Sequence, residues 1–423
     1  MIESGPAAGV VAASHLGQLM GERSVLSFDM GGTTAKAGSI LDSRPDVVHE
    51  YEVGGEVNVG RVLKGSGHPV RHPFIDLVEC SAGGGSVAWV DEGGALRVGP
   101  LSAGADPGPA CYGRGDHPTI TDADLVLGRL PGTLAGDLRL DRRRAERAIA
   151  ERIGDPLGLD VHEAAEGILR IADSTMSRIL RIVSLERGRD PRRSVLMAFG
   201  GGGPLHCCSV AGELGMEDVL VPPHPGVFSA MGLLFARVSA QGERAVMRDL
   251  RTLTESDVET ILQELEEGCG GELGEQEHGL NFERMADLRY EGQSFELSVR
   301  PCASAPNALR AAFERMHLQL YGHVCDDGVE LVNLRAVATV DRPLPVIGTE
   351  PGLAVGQATI GERGIWWEGQ WHQATVLGGD ALAPGERIDG PVVRFGYDHT
   401  LFVPPGWALR SERSGCLRMR RSG

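Results

Sequence analysis

The chain has 423 residues and a formal net charge of −17, with an isoelectric point near 5.2. Such acidity argues against a nucleic-acid or anionic-membrane partner, and no apolar run is long enough to span a bilayer. Eight scattered cysteines without CxxC pairs argue against a zinc ribbon or a disulfide framework and favour a reducing cytoplasm.

The length suits two or three domains. Basic residues are almost all arginine, the only lysines being Lys36 and Lys64, a pattern that looks like GC-rich codon usage. The N-terminal MIESGPAAGVV lacks the basic start and apolar core of a signal peptide. Ser4 and Pro6 suit a helix start, and Ala7–Leu19 is a helix rich in small residues that permit close packing.

Ser24–Ile40, SVLSFDMGGTTAKAGSI, reads as a buried strand, an acid, a glycine pair, two threonines and a second strand. Asp29 at the strand end suits a hydrated Mg²⁺. Gly31 and Gly32 permit a tight reversal with φ > 0 and let backbone N–H groups approach an anion. The Thr33 and Thr34 hydroxyls suit phosphate oxygens. Two readings stand at this point: a phosphate hairpin, or a plain β-hairpin turned by Gly-Gly.

His68 and His72 stand four apart, but Pro69 and Pro73 interrupt any helix that would aim them at one metal. A strand over Phe74–Glu79 leads to Gly83-Gly84-Gly85, either a second phosphate-facing turn or a crowded backbone crossing. The long Gly/Pro loop that follows holds Asp106 and Cys111 as its chemically capable members, although a lone cysteine is more often packing. Asp122 and Asp124 read as helix-cap acids with a structural role. Val161–Arg187 is helical with an apolar core stripe.

Ser194–Leu214 is the second informative stretch. A buried strand, Val195–Phe199, enters Gly200, Gly201, Gly202 and Gly203, and a helix starts near Pro204. Bare backbone at a helix N-terminus suits a phosphate or a flat ligand, and the spacing is not that of a Rossmann turn. His206 reads equally as a ligand contact or a satisfied core histidine. Composition shifts near Arg248, which divides the chain into 1–247 and 248–423. The second part is expected to be a smaller α/β domain closing with a β-rich tail.

Together these residues resemble the hydantoinase A/5-oxoprolinase family, which includes the ATP-binding subunits of acetone-type carboxylases. ESGPAAGVVAA, FDMGGTTAKA, AGGGSVAWV, VGPLSAGADPGPACYGRG, TDADLVLGRL, MAFGGGGPLH, VPPHPGVFSAMGLL, DLRYEGQSFEL and VPPGW carry the resemblance across nearly the whole chain. It implies an α/β fold of the actin-like (RNase H-like, ASKHA) type, with 1–247 as the ATP-binding lobe. It implies ATP and Mg²⁺ as cofactors, a larger hydantoinase B-type subunit as partner, and a cyclic amide or ketone as substrate. The expected activity is ATP-dependent hydrolysis of a cyclic amide through phosphorylation of its amide oxygen; a carboxylase subunit and a non-catalytic fragment are the alternatives. Asp29 would hold Mg²⁺ through water. Gly31, Gly32, Thr33 and Thr34 would meet phosphates, and Gly200–Gly203 would lie beside the adenosine.

Two departures from the family stand out. Ala35-Lys36 replaces the Thr-Asp that often follows the hairpin. Full-length members also begin with a further lobe bearing its own DxGGT hairpin, so the expectation here is half a cleft. The other half would be a separate chain or lost sequence, and the uncovered wall would favour oligomers.

Overall fold

The computed structural model describes residues 4–48, 51–54, 57–58, 61–62, 65–70, 74–134, 136–274, 279–300, 303–341, 359–378 and 382–422. They form two compact units. One comprises the described parts of Met1–Phe235 and Val346–Gly423, the other those of Ala236–Pro345.

The first unit is built on a mixed sheet. Strand Val195–Phe199 lies at its centre, parallel to Ser24–Met30 on one side and to Asp218–Val221 on the other. Ala35–Leu41 pairs antiparallel with Ser24–Met30, and Leu77–Cys80 extends that edge. Side chains alternate between faces. Leu26, Phe28 and Met30 join a core with Ile168, Ala172 and Met176 from helix Val161–Val183. The opposite face carries helix Ser4–Leu19, whose Gly17 lies against Val25 and whose Val10 reaches Gly38.

This N-terminal helix crosses helix Phe228–Gly232 at a distance only small residues allow. A Cβ on Gly232 would stand 1.9 Å from the Ala8 carbonyl oxygen. One on Gly9 would stand 2.7 Å from both the Phe199 ring and Ser229 Oγ. The apolar side of the N-terminal helix, including Val10 and Leu16, is thereby covered within the chain itself, while Leu19, Leu233 and Leu234 around it are exposed.

The boundary expected at 247/248 is not where compactness divides the chain. Ala236–Pro345 alone forms the second unit, an antiparallel sheet in the order Ser239–Asp249, Val329–Val340, Leu280–Tyr290, Leu297–Val299. Helices Glu255–Leu273 and Pro306–Tyr321 cover its apolar face through Val258, Leu262, Leu309 and Phe313. The β-rich tail belongs to the first unit. Leu417–Arg421 pairs antiparallel with Asp218–Val221, and Trp407–Ser411 and Arg387–Asp389 continue the sheet. The physical reason is the open edge of Asp218–Val221, reinforced where Arg418 donates to Asp218 and Glu22 at 2.7 Å each.

The crossing of the two small-residue helices yields a stability prediction. Gly232→Ala overpacks the contact and is expected to lower unfolding free energy by about 1–3 kcal/mol. Gly5→Ala, in the same N-terminal helix with open space around it, is expected to be neutral or to stabilise by about 0.4–1 kcal/mol. Urea denaturation of both variants checks this; equal effects would remove the close crossing as the cause.

Candidate functional site

The hairpin tip is fixed from outside. Gly31 N–H donates to the Thr34 carbonyl at 3.0 Å and closes the turn; this hydrogen bond makes the reversal without the positive φ expected at Gly31 and Gly32. The second glycine loop then takes the tip's carbonyls, with Gly84 N–H donating to Gly31 O at 3.1 Å and Gly85 N–H to Gly32 O at 2.6 Å. In a trans peptide the N–H points opposite to the C=O. Capturing these two carbonyls therefore turns the Gly32 and Thr33 N–H groups away from the Gly83–Gly85 loop. Neither N–H donates to any group among the described residues. Gly83 must be glycine, since a Cβ would stand 2.5–2.6 Å from Thr33 and Thr34 backbone atoms. Thr121 secures the loop, its N–H and hydroxyl both donating to Gly84 O.

The third glycine loop lies along the other flank. Gly202 N–H donates to Met30 O at 3.0 Å and Gly200 N–H to Pro225 O at 2.8 Å. Gly200 has φ +79°, and a Cβ there would strike Met30 O at 2.4 Å and Asp29 Oδ1 at 2.5 Å. Its glycine is required by the fold. Gly201 differs: it is exposed, and a Cβ would meet only Asp398 O, at 3.9 Å. Gly203 begins helix Gly203–Glu213, so the slot at Gly201 adjoins a helix N-terminus.

Asp29 stands between these loops, half-buried. Its Oδ2 accepts from Ser229 Oγ at 2.9 Å. Burial pushes its carboxyl above the usual carboxylate range, against the Ser229 hydrogen bond and the Lys36 charge. The hairpin thus brings together Asp29, Gly31, Gly32, Thr33 and Thr34, with Gly200 and Gly202 alongside and Gly201 at an open position.

Comparison with known proteins gives the family of the chain. The family model for hydantoinase/oxoprolinase matches residues 1–242, and that for the hydantoinase/oxoprolinase C-terminal domain matches 248–421. The chain belongs to the hydantoinase/oxoprolinase family. An uncharacterized protein of Methanocaldococcus jannaschii is 44% identical over 99% of this chain and 62% of its own length. The caprolactamase subunit alpha of Pseudomonas jessenii is 34% identical over 99% of this chain and 61% of its own. The crystal structure of the ATP-dependent caprolactamase from that organism superposes with a TM-score of 0.85 at 30% identity, covering 99% of this chain and 62% of that one. A nucleotide-free acetone carboxylase structure gives 0.76 at 26% identity, covering 99% and 61%. The chain thus spans about three fifths of the length of these relatives, and it shares their mixed α/β fold.

Other residues singled out in the sequence lie elsewhere in this family member. His206 is fully buried, with Nδ1 2.8 Å from Asp173 and Nε2 3.2 Å from Asp124. Asp124 also faces Arg129 at 3.6 Å, whose guanidinium lies over Trp367 and Phe402 of the tail. The His206 ring is held between two buried carboxylates, so His206 is a core residue. Asp124 is a member of this cluster and not a cap acid: the N-cap is Thr119, with Asp122 closing the capping box. Asp122 also accepts from the Ala110 and Cys111 N–H groups, anchoring the Gly/Pro loop. Burial and Asp122 push the Cys111 thiol far above its ordinary range, which suits packing. Asp106 is exposed and pairs with Arg114. His68 is exposed, and His72 lies outside the described residues. Among the described residues no group of three or more His, Cys, Asp or Glu is gathered as for a metal ion, and no helix is long and apolar enough to cross a membrane. An open cavity of about 540 Å³, lined by Met20, Pro384, Arg410 and Arg413 among others, includes none of the hairpin or glycine-loop residues.

Sequence reasoning passed over Ser229 and Asp398. Ser229 sits in VFSAMG with no spacing that ties it to Asp29. Asp398, from the tail, accepts from Gly226 N–H at 3.0 Å and from His399 Nδ1 at 2.8 Å, and its backbone borders Gly201. Only the return of the tail to the first unit brings it there.

The buried cluster predicts a pH dependence. Burial disfavours the His206 charge, but the Asp124 and Asp173 carboxylates outweigh it and raise the imidazole from 6.5 to about 10. The charged form is favoured in the fold, so this stability is fully present below pH 6.5 and lost as pH rises through about 10. His206→Gln leaves two buried carboxylates short of a partner and is expected to cost about 3–5 kcal/mol. Urea titrations from pH 6 to 10 should show that variant with a flatter profile than the parent; parallel profiles would contradict the pairing.

Proposed function

We propose that this chain is the nucleotide-binding portion of an ATP-dependent hydrolase acting on cyclic amides, with the actin-like type of phosphate hairpin at its centre. The observation that carries this reading is the pair of outward-turned amides, Gly32 and Thr33, on a tip whose carbonyls are held by Gly84 and Gly85. Backbone N–H groups presented together make an anion site. Gly201 and the start of the Gly203–Glu213 helix offer bare backbone for the adenosine side of the ligand. The name of the caprolactamase relative supports a lactam-like substrate.

The residues present suit a hydrated Mg²⁺. Asp29 Oδ2 is engaged by Ser229, while Oδ1 accepts no hydrogen bond among the described residues. Asp29 would hold the cation through water, and the cation would neutralise phosphate charge during transfer. The Gly32 and Thr33 amides would bind the phosphates and orient the terminal one toward the amide oxygen. Transfer of the terminal phosphoryl group to that oxygen breaks its bond to ADP and makes the ring carbonyl carbon electrophilic. Water adds there, the C–N bond breaks with the nitrogen taking a proton, and a second water hydrolyses the resulting acyl phosphate to carboxylate and phosphate. A carboxylase subunit is the second reading, supported by the likeness to acetone carboxylase.

Turnover is proposed to need polypeptide equivalent to the relatives' remaining length and a larger companion subunit. One wall leaves phosphate in water, where each electrostatic contact is weak. The expected outcomes are separable. Asp29→Ala should weaken Mg·ATP binding more than about tenfold in calorimetry, with circular dichroism unchanged. Gly201→Val, at a position where a Cβ meets only Asp398 O at 3.9 Å, should weaken ATP binding through the adenosine side with circular dichroism unchanged. Binding by both variants equal to the parent would sink the site. Acidification should weaken Mg·ATP binding from a pH above the usual carboxylate range, because Asp29 must ionise. ATP hydrolysis assayed with hydantoin, 5-oxoproline, caprolactam and acetone, with the companion subunit present, separates hydrolase from carboxylase.

A further inference from the structure

Asp29, Lys36 and Glu79 stand directly opposite one another on three adjacent strands. Asp29 pairs with Lys36, and Lys36 with Glu79. Directly opposed residues of antiparallel strands share a face, so an ammonium is set between two carboxylates beside the hairpin tip. Lys36 Nζ lies 3.1 Å from Glu79 Oε2 and donates to Thr34 Oγ1 at 3.2 Å. Its side chain is 17% exposed, against 39% for Glu79. Two of its three N–H donors are thus engaged, and Thr34 links it to the tip through the Gly31 hydrogen bond.

The residue type matters. The chain uses arginine almost throughout, yet this position holds one of its two lysines. Arginine's planar fork would lock onto Glu79, whereas lysine is a compact charge on a flexible stem that can exchange partners. A mere counter-charge for Asp29 and Glu79 has no use for such mobility.

We propose that Lys36 is a phosphate-binding residue of this site, selective for the terminal phosphate of a nucleoside triphosphate, with Glu79 holding its ammonium until that phosphate arrives. This rests on the nucleotide reading above. On binding, the ammonium gives up Glu79, which is exposed enough to be hydrated, and donates to the phosphate while keeping Thr34. The exchange replaces a single carboxylate charge with the larger charge of a terminal phosphate.

Calorimetric titration of the full chain with Mg·ATP and Mg·ADP tests it, using the parent, Lys36→Met, Lys36→Arg, Glu79→Gln and the Glu79→Gln/Lys36→Met pair. Lys36→Met should weaken ATP binding about tenfold or more and ADP binding by about twofold at most. Lys36→Arg should recover part of the ATP loss. Glu79→Gln, which leaves Lys36 in place and guards against a misfolded Lys36 variant, should tighten ATP binding about threefold; combined with Lys36→Met it should have no such effect. Equal losses for ATP and ADP, or no loss for either, would overturn the role of Lys36 while leaving the nucleotide site standing. A parent that binds neither nucleotide would overturn the site reading and this inference with it.

Discussion

The capture of the Gly31 and Gly32 carbonyls by the Gly84 and Gly85 amides is the constraint on which the site depends. Peptide planarity does the rest. Once those oxygens are held on one side, the next two N–H groups must face the other. A hairpin whose tip bonded only within itself would leave those amides free to rotate toward any acceptor. Here a separate loop, itself anchored by Thr121, sets their direction. The cost is steric: Gly83 packs so near the Thr33 and Thr34 backbone that no side chain fits. The requirement for glycine falls on Gly83 and Gly200, whereas Gly31, Gly32 and Gly201 have open space around them.

The N-terminal helix shows how packing reaches into chemistry. Its small residues admit helix Phe228–Gly232 to near backbone contact, and that approach sets Ser229 at 2.9 Å from Asp29. The hydrogen bond and the Lys36 charge offset part of what burial costs the carboxylate. Stability and function are coupled here, because the crossing that stabilises the fold also orients the acid. The buried cluster of Asp124, Arg129, Asp173 and His206 does comparable work, tying helix Gly203–Glu213 to helix Val161–Val183 and to the tail's Trp367 and Phe402.

Local features were legible in the sequence. The hairpin around Gly31-Gly32, the buried strand entering Gly200 and the helices with apolar stripes follow from periodicity and turn chemistry. Non-local pairings were not. Nothing in Leu417–Arg421 says that, beyond its hairpin with Trp407–Ser411, its other edge pairs with Asp218–Val221, so the tail's return to the first unit is visible only in the fold. The same holds for Asp398 at Gly201 and for Ser229 at Asp29, each joined across more than 170 positions. Asp124 was misplaced for a related reason: an acid early in a helix reads as a cap, and its partners come from other helices. The four glycines also looked equivalent, yet Gly200 serves backbone conformation and Gly201 alone is open.

The most direct test is amide chemical shift in the ¹⁵N-labelled full chain as Mg·ATP is added. The account predicts that the Gly32 and Thr33 amides move most, with Gly201 following and Gly84 and Gly85 staying in place because their protons are already committed. Shifts confined to residues outside the hairpin and the Gly200–Gly203 loop, with Gly32 and Thr33 unmoved at saturation, would contradict it.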